Sequence, residues 1–296
     1  MSISKNDIFL DRDVHKFLIE IRKCKNPSGV KLIHSKPDEN FCLMNFKSSN
    51  TASSFYTINI TEDFPIQDFK NYLVYLKKEK INIDIRFSIV DFDEKKILDN
   101  FREFRVKKID KKNTLIDVNN FKLSRIRKGM KCNIKKGIKL NVKTDFYFNE
   151  DIPMHVLKEF YSCCIKSRNY IGKNFNHSWE TFNFRNELTK MGKAVLARSE
   201  HENKVNYIWS IISEKNGFYY DAGYNIRINS FTHGYTHYRL FDFLKKIGCN
   251  YYSMGLIDQK KEYDMNLSSD RVDFYKKGFK KDLYDVYEIK LKAEEH

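Results

Sequence analysis

The sequence predicts a mixed α/β protein of two domains, and three observations support this class. Stretches with alternating apolar residues interleave with stretches whose apolar residues recur every three or four positions, as strands and helices do. The chain has 296 residues, which is long enough for two domains. Its composition is 41% hydrophobic and 15% aromatic, which suffices for large cores and excludes a disordered chain, and its 11 Gly and 4 Pro exclude a collagen-like chain.

The second half of the chain gives the clearest series of elements. Asp151 and Pro153 start one helix, Ser178 can cap the next, and Gly192 and Gly248 end two of the helices. In chain order, the pattern predicts a strand at 138–142, helices after Pro153 and after Ser178, strands at 194–199, 205–213 and 218–221, a helix at 235–247, a strand at 251–256, a short helix at 272–277 and a strand at 283–291.

The first half repeats this alternation between residues 40 and 118. The predicted elements are strands at 41–46 and 55–60, a helix around residues 69–76, a strand at 81–90, a helix ending at 101, and strands at 104–109 and 114–118. Since a similar order recurs after residue 217, we predict two similar domains, at 1–120 and 138–296, joined by a helix at 121–137.

Positive charge concentrates at the predicted junction. The chain carries 54 Lys and Arg against 39 Asp and Glu, a formal charge of +15. Between 121 and 143 there are nine basic residues and no acid, while Leu123, Ile126, Met130 and Ile134 form an apolar stripe. This pattern predicts a helix packed on one side and basic on the other. Its candidate contacts to phosphate or nucleic acid are Arg125, Arg127, Lys128 and Lys131.

The sequence also predicts location and redox state. Its apolar runs are much shorter than the roughly 20 residues that cross a bilayer, so no transmembrane segment is expected. Met1–Asp13 has no apolar core of a signal peptide, which predicts a cytoplasmic protein with reduced cysteines. Adjacent Cys163 and Cys164 are predicted to be packing residues.

Two groups of motifs resemble the FemABX-like peptidyltransferases. Asn113-Thr-Leu-Ile-Asp-Val118 and the following Ser124-Arg-Ile-Arg-Lys-Gly-Met-Lys-Cys-Asn-Ile-Lys-Lys-Gly137 are similar to the strand and helix that join the two domains of that family. Phe218-Tyr-Tyr-Asp-Ala-Gly223, Lys245-Lys-Ile-Gly248 and Val272-Asp-Phe-Tyr-Lys-Lys-Gly-Phe279 resemble its second domain. The resemblance covers roughly residues 100–290.

The resemblance implies a fold, a reaction and two alternative donors. The implied fold is a tandem pair of GNAT-like domains on a mixed sheet, joined by the basic helix. The implied reaction moves an acyl or aminoacyl group onto an amine. Members that use acyl-CoA usually carry a glycine-rich turn for the pyrophosphate, whereas residues 224–235 here contain one glycine. The donor therefore stays open between acyl-CoA and aminoacyl-tRNA.

Carboxylates at strand ends are the candidate catalytic groups. The strand at Tyr219–Asp221 would offer a backbone N–H to an oxyanion, and Asp221 could accept the proton of the attacking ammonium. Asp258, which follows the strand at 251–256, is the second candidate. Tyr220 is a candidate substrate contact. A turn or capping aspartate before Gly223 is the structural alternative for Asp221.

Histidines and cations near the helix predicted at 235–247 complete the candidate site. His233 and His237 share a helix face, but no third ligand stands at suggestive spacing, so no metal is predicted. His233 is a candidate base or sugar contact, and His237 and Tyr275 are candidate substrate contacts. The resemblance places Lys276 near bound phosphate. Arg227, in the preceding loop, is a weaker candidate for the same role.

Three functions are predicted, in order of preference. The first is an N-acyltransferase, using acyl-CoA as co-substrate, that acts on the amine of an amino sugar, a nucleotide-linked sugar or another cell-envelope precursor. The second is an aminoacyl-tRNA-dependent transferase whose basic helix contacts tRNA. The third is a nucleic-acid-binding protein without catalysis, which the charge alone suggests but which lacks a recognisable reader motif.

Overall fold

The computed structural model describes most of the chain and divides it into two compact units. It describes residues 30–34, 42–46, 50–62, 64–170, 172, 174–213, 215–225, 231–258, 268–279 and 283–292, together with Val14 and Phe17. The first unit is Met1–Asn113, Gly255–Gln259 and Leu283–His296, and the second is Thr114–Met254 and Lys260–Asp282.

The described residues form strands and helices in alternation, so the predicted α/β class with a mixed sheet is confirmed. The strands are β1 Val30–His34, β2 Cys42–Phe46, β3 Thr51–Ile60, β4 Asn82–Ile89, β5 Val106–Asp117, β6 Lys143–Tyr147, β7 Ala194–His201, β8 Lys204–Ile212, β9 Asn216–Tyr224, β10 Tyr251–Asp258 and β11 Tyr284–Leu291. The helices are α1 Ile66–Lys78, α2 Glu94–Asn100, α3 Lys128–Lys139, α4 Met154–Tyr170, α5 Trp179–Lys190, α6 Phe231–Lys246 and α7 Ser268–Lys277.

The first unit is a sheet with an aromatic core packed between its strands and helix α1. Its strand order is β1-β2-β3-β4-β11-β5, in which β3 and β4 run parallel and the other pairs are antiparallel. Phe69 of α1 packs edge to face on Phe101, which also contacts Phe87 of β4. Asp93 caps α2 by accepting bonds from two backbone N–H groups.

The second unit has helices on both faces of its sheet. From the end of β5 its strand order is β10-β9-β8-β7-β6, with β10 and β9 parallel and β9 to β6 antiparallel. Ile208 of β8 packs in a core with Leu240 and Phe241 of α6. The neighbouring Trp209 donates its indole N–H to Thr189 of α5. Since adjacent strand residues point to opposite faces, α5 and α6 lie on opposite sides of the sheet.

The basic helix α3 lies against α6 by means of a glycine. A Cβ built on Gly137 would lie 2.5 Å from the Tyr235 ring, so only glycine allows this approach. Met130 and Ile134 of α3 are buried in the same core as Leu240 of α6. The predicted apolar stripe is therefore confirmed, although the helix begins at Lys128, after a 3₁₀ turn at Leu123–Arg125.

Two sequence predictions of local structure were wrong, and one strand was not predicted. Residues 138–142 are the end of α3 and a turn, not a strand, because Gly137 and the apolar stripe keep the helix on α6 until Asn141 takes a left-handed φ of 47°. The strand β6 comes after this turn, at Lys143–Tyr147. The two strands predicted at 104–109 and 114–118 are one strand, β5. No apolar pattern indicated β1.

Two further predictions concern cysteines and membranes. Cys163 and Cys164 of α4 are both buried, which confirms their packing role, and burial raises the pKa of the Cys163 thiol to about 12. Across the described part of the chain, every helix is too short or too polar to span a membrane.

A second glycine brings α4 against β9. A Cβ on Gly223 would lie 2.7 Å from the backbone nitrogen of Cys164 and 2.8 Å from the carbonyl carbon of Cys163. Backbone atoms in a helix do not move aside as a flexible side chain does. This contact therefore fixes how closely the α4 layer packs on the strand that carries the candidate site.

We predict that Gly223→Ala destabilises the protein by about 1–3 kcal/mol, because the added methyl group overpacks the contact between β9 and α4. Gly129→Ala is the matched control, since a Cβ there meets nothing within 4 Å and alanine favours the helix. Urea denaturation of the two variants measures the difference. Equal stabilities would contradict the close approach.

Candidate active site

A bulge in β9 directs adjacent side chains to both faces of the sheet. Trp209 of β8 is paired with Asp221, and Ser210 is paired with Tyr219, so Tyr220 is an extra residue on the β9 side. Tyr220 contacts Trp209, with ring centroids 5.6 Å apart, on the α5 face. Tyr219 contacts His237 of α6, at 5.2 Å, on the other face. The bulge therefore separates two groups of candidate residues.

On the α5 face, Asp221 forms a buried ion pair with Arg185. The Arg185 Nη2 atom lies 2.5 Å from Asp221 Oδ2, and the two side chains are 0% and 4% exposed. A second guanidinium, of Arg168 in α4, lies 3.7 Å from Asp221 Oδ1. Breaking such a pair leaves a buried charge uncompensated, which is far more costly than losing a surface ion pair. The pair therefore fixes β9 to α5.

Aromatic rings and a histidine surround the Arg185 guanidinium. It lies 4.3 Å from the Phe182 ring centroid and 5.4 Å from that of Trp209, and cation–π attraction is strongest where water is excluded. Its Nη2 atom is also 3.0 Å from Nδ1 of His177, in the segment between α4 and α5. The arginine thus joins this segment to the bulge of β9.

Asp221 has structural partners on this face. It is 4% exposed, and its two carboxylate oxygens face the guanidinium groups of Arg185 and Arg168. The catalytic role assigned to it from the sequence remains a prediction. Sequence reasoning missed Arg185 as a functional residue. Its place on the apolar face of a predicted helix was the available signal, because a buried cation requires a buried acid.

On the α6 face, four aromatic side chains that the sequence scatters over 57 positions form one cluster. The ring centroids of His233 and Tyr275 are 4.9 Å apart, and those of His233 and His237 are 5.0 Å apart. Tyr219 from the bulge lies 6.4 Å from His233. The structure therefore brings together His233, His237 and Tyr275 of the predicted site, and adds Tyr219 as a member.

A chain of hydrogen bonds fixes the tautomer of His233. Thr236 Oγ1 donates to the Thr232 carbonyl at 2.7 Å, so it accepts from Nδ2 of Asn206, at 2.9 Å. The Asn206 amide is thereby oriented with Oδ1 towards Nδ1 of His233, at 3.0 Å. Because this oxygen only accepts, we assign the proton to Nδ1, which leaves a lone pair on Nε2. No sequence pattern indicated Asn206.

His237 binds the hydroxyl group of Tyr275. Its Nδ1 atom lies 2.8 Å from Tyr275 Oη and 3.3 Å from the His233 carbonyl oxygen. The carbonyl oxygen can only accept a hydrogen bond, so we assign the His237 proton to Nδ1. Nδ1 then donates, and the His233 carbonyl oxygen and Tyr275 Oη accept. The hydroxyl hydrogen of Tyr275 is then directed elsewhere. Nε2 of His237 is buried and has no hydrogen-bond partner among the described residues.

Burial holds both histidines neutral. It lowers the pKa of His233 to about 4 and lowers that of His237 well below 6.5, where the neighbouring His233 lowers it further. Burial also raises the pKa of the Tyr275 phenol, so this group keeps its proton at neutral pH. The cluster therefore contains two uncharged acceptor nitrogens, Nε2 of His233 and Nε2 of His237, and the uncharged phenolic donor of Tyr275.

Three more of the predicted site residues are Asp258, Arg227 and Lys276. Asp258, the last residue of β10, is exposed and belongs to the first unit. Arg227 lies outside the described residues. Lys276 is half-buried beside Tyr275 in α7, and burial lowers its pKa although Asp273 opposes the shift. Their catalytic and phosphate-binding roles remain predictions.

The four cations predicted to contact phosphate differ in exposure. Arg125 and Lys128 are exposed, and Lys131 is half-buried. Arg127 has a structural contact: its guanidinium lies 3.6 Å from the Phe274 ring centroid and donates to the Phe274 carbonyl at 3.0 Å. Arg127 therefore connects α3 to α7, the helix that carries Tyr275. Within the described part of the chain, no group of three or more His, Cys, Asp or Glu could hold a metal ion.

The fold is similar to that of solved structures of low sequence identity. "FemX" matches with a TM-score of 0.62 and 10% identity, over 91% of this chain and 90% of that one. L-PGS from Bacillus licheniformis matches with a TM-score of 0.60 and 13% identity, over 95% and 91%. The C-terminal domain of a putative lysylphosphatidylglycerol synthetase from Agrobacterium fabrum gives 0.58 and 10%, over 94% and 87%.

These matches confirm the predicted FemABX-like fold. By sequence, no family model matches this chain, and no curated protein matches it either. At 10–13% identity the likeness concerns the fold, and the chemistry must be argued from the residues themselves.

We predict that Asp221→Asn lowers the free energy of unfolding by about 3–5 kcal/mol, because it leaves the Arg185 guanidinium buried without a counter-charge. The double variant Asp221→Asn/Arg185→Met should recover much of this loss. Chemical denaturation of the single and double variants measures the coupling. Additive losses would show that the two side chains do not interact.

Acid should destabilise the protein through the two histidines. Their pKa values are lower in the folded protein than the 6.5 expected when unfolded, so the unfolded chain binds more protons below pH 6.5. The stability they contribute is complete above pH 6.5 and declines as the pH falls towards 4. The decline, measured by denaturation, should be smaller in His233→Asn/His237→Gln. The same pH dependence in both proteins would refute this account.

Proposed function

We propose that this protein transfers an acyl or aminoacyl group from an activated donor onto an amine, at the α6 face of the β9 bulge. The observation that carries the proposal is the hydrogen-bond chain that presents Nε2 of His233 as an acceptor beside the proton-bearing phenol of Tyr275. Acyl transfer to an amine needs one proton acceptor and one proton donor near the reacting carbonyl.

The roles of the cluster follow from the balance of the reaction. The amine nitrogen attacks the carbonyl carbon and forms a C–N bond, and the C–O or C–S bond to the leaving group breaks. The amine loses a proton, for which His233 Nε2 is the acceptor. The leaving oxygen or sulfur gains a proton, for which Tyr275 is the donor because its hydroxyl hydrogen is not used by His237. His237 acts as a positioning residue.

The low pKa of His233 limits how much the base contributes. An imidazole with a pKa near 4 stays unprotonated at neutral pH, but it is a weak base. Much of the rate must therefore come from holding the two substrates together, which can contribute about 7–11 kcal/mol. A backbone N–H at the bulge, near Tyr219, is our candidate donor to the oxyanion.

An aminoacyl donor carried by tRNA is the first candidate. It is supported by the exposed cations of α3, which suit a polyanion, and by the likeness to FemX and to a protein named for lysylphosphatidylglycerol synthesis. The resemblance of the motifs to the peptidyltransferases supports the same donor. This choice reverses the order of preference reached from the sequence.

N-acyl transfer from acyl-CoA to an amino sugar is the second candidate, and one observation favours it. Tyr170 of α4 stacks on Tyr224 of β9, with centroids 6.0 Å apart and planes 15° apart, and Tyr170 is 50% exposed. An exposed aromatic pair of this kind offers a flat apolar face with polar ends, which suits a sugar ring. It lies on the strand that carries the bulge.

We expect purified protein to transfer the aminoacyl group of charged tRNA to an amine acceptor. A parallel assay replaces charged tRNA with acyl-CoA, and mass spectrometry detects the product of each assay. Both His233→Gln and Asn206→Leu should lower kcat by about 10²-fold or more with little change in KM. The first variant removes the proton acceptor, and the second removes the amide oxygen that holds the His233 proton on Nδ1. The exposed control His155→Gln should keep the wild-type rate. Transfer at the wild-type rate by both cluster variants would refute the assigned site.

A further inference from the structure

A separate cavity lies at the C-terminal half of α6. Its volume is about 450 Å³, which is within the range of small-molecule sites. It is formed by the end of β5, the segment before α3, and α6. The side chains that line it include Phe121, Lys122, Tyr238, Phe241, Asp242 and Lys245.

The floor of the cavity is aromatic. Phe121 packs edge to face on the buried Phe241, with centroids 4.9 Å apart, and lies 6.4 Å from Tyr238. Phe121 and Tyr238 are half-buried, so each keeps part of its surface open. A planar ring that enters the cavity would contact these side chains, and aromatic pairs gain more than their buried area supplies.

The rim of the cavity is charged. Lys122 and Lys245 are exposed there together with one carboxylate, that of Asp242. Lys245 donates to the backbone carbonyl of Asn119 at 3.3 Å, which holds its ammonium group at the edge. Since cations outnumber acids, the rim suits a ligand with a negative group, and Asp242 can accept a hydrogen bond from an amino group of that ligand.

The positive surface continues from the cavity along the chain. Exposed Arg125 comes two residues after Leu123 of the wall, and exposed Lys128 begins α3. Further exposed lysines of α3 are Lys135, Lys136 and Lys139. A ligand whose negative charge extends from the cavity towards Arg125 and Lys128 would therefore meet further cations.

We propose that this cavity binds a nucleotide, with its base on Phe121 and Tyr238 and its phosphate at Lys122 and Lys245. An aromatic floor, a cationic rim and one hydrogen-bond acceptor match the base, the phosphate and an exocyclic amino group. The nucleotide has two sources with the same chemistry, a free nucleotide or one nucleotide of a single-stranded RNA. The site does not use the His233 cluster, so it does not depend on the proposed transferase activity.

Calorimetric titration of the full chain with AMP tests the site, and ribose 5-phosphate tests the aromatic floor. AMP should bind, and ribose 5-phosphate should bind at least about tenfold more weakly because it lacks a base. Lys122→Gln/Lys245→Gln should weaken AMP binding by about tenfold or more. The control Lys158→Gln/Lys166→Gln removes the same charge from exposed positions of α4 and should bind as wild type.

The source of the nucleotide is tested with a labelled single-stranded RNA in the same proteins. RNA that binds more tightly than AMP, depends on Lys122 and Lys245 and weakens steeply with salt would identify RNA. RNA binding that ignores the two lysines, while AMP binding needs them, would identify a free nucleotide. The inference is overturned by no binding of AMP or RNA at millimolar concentration, by equal binding of AMP and ribose 5-phosphate, or by equal losses in the two double variants.

Discussion

The buried ion pair between Arg185 and Asp221 beside β9 constrains the second unit. Arg185 and Asp221 are both removed from water, so each is tolerable only while the other stays in place. Asp221 comes directly after the bulge residue Tyr220, and Arg185 also contacts His177. The pair therefore holds α5 and the segment before it against the bulge of the strand at which we place the chemistry.

On the α6 face of the sheet, hydrogen bonds between neutral groups hold the side chains in place, whereas on the α5 face an ion pair does so. Thr232, Thr236 and Asn206 are each buried, and every bond in their chain has one permitted direction. In a low-dielectric interior such a chain is costly to rearrange, so it can fix which nitrogen of His233 bears the proton. The bulge then matters chemically, because it brings Tyr219 to this face and keeps the ion pair on the other.

Helix α3 serves packing and charge at once. One side, with Gly137 and Met130, lies against α6, and the other presents exposed lysines. Arg127 belongs to neither side, since it stacks on Phe274 and holds α7. A cation in a basic run is therefore not always a phosphate contact. The exposed lysines of α3 still form a positive surface, and both the tRNA proposal and the nucleotide proposal use it.

Most of the strands and helices, the basic helix and the buried cysteines could be predicted from the sequence, because apolar period and charge are local properties. The helix end at 138–142 could not, since the close contact of Gly137 with Tyr235 overrode an alternating pattern. Helical spacing singled out His233 and His237, and a motif that resembles the FemABX-like family singled out Tyr275. Only the tertiary structure enclosed Asp221 with Arg185, recruited Asn206 and moved Tyr219 across the sheet, because these contacts join residues distant in the chain through a bulge that leaves no periodic signal.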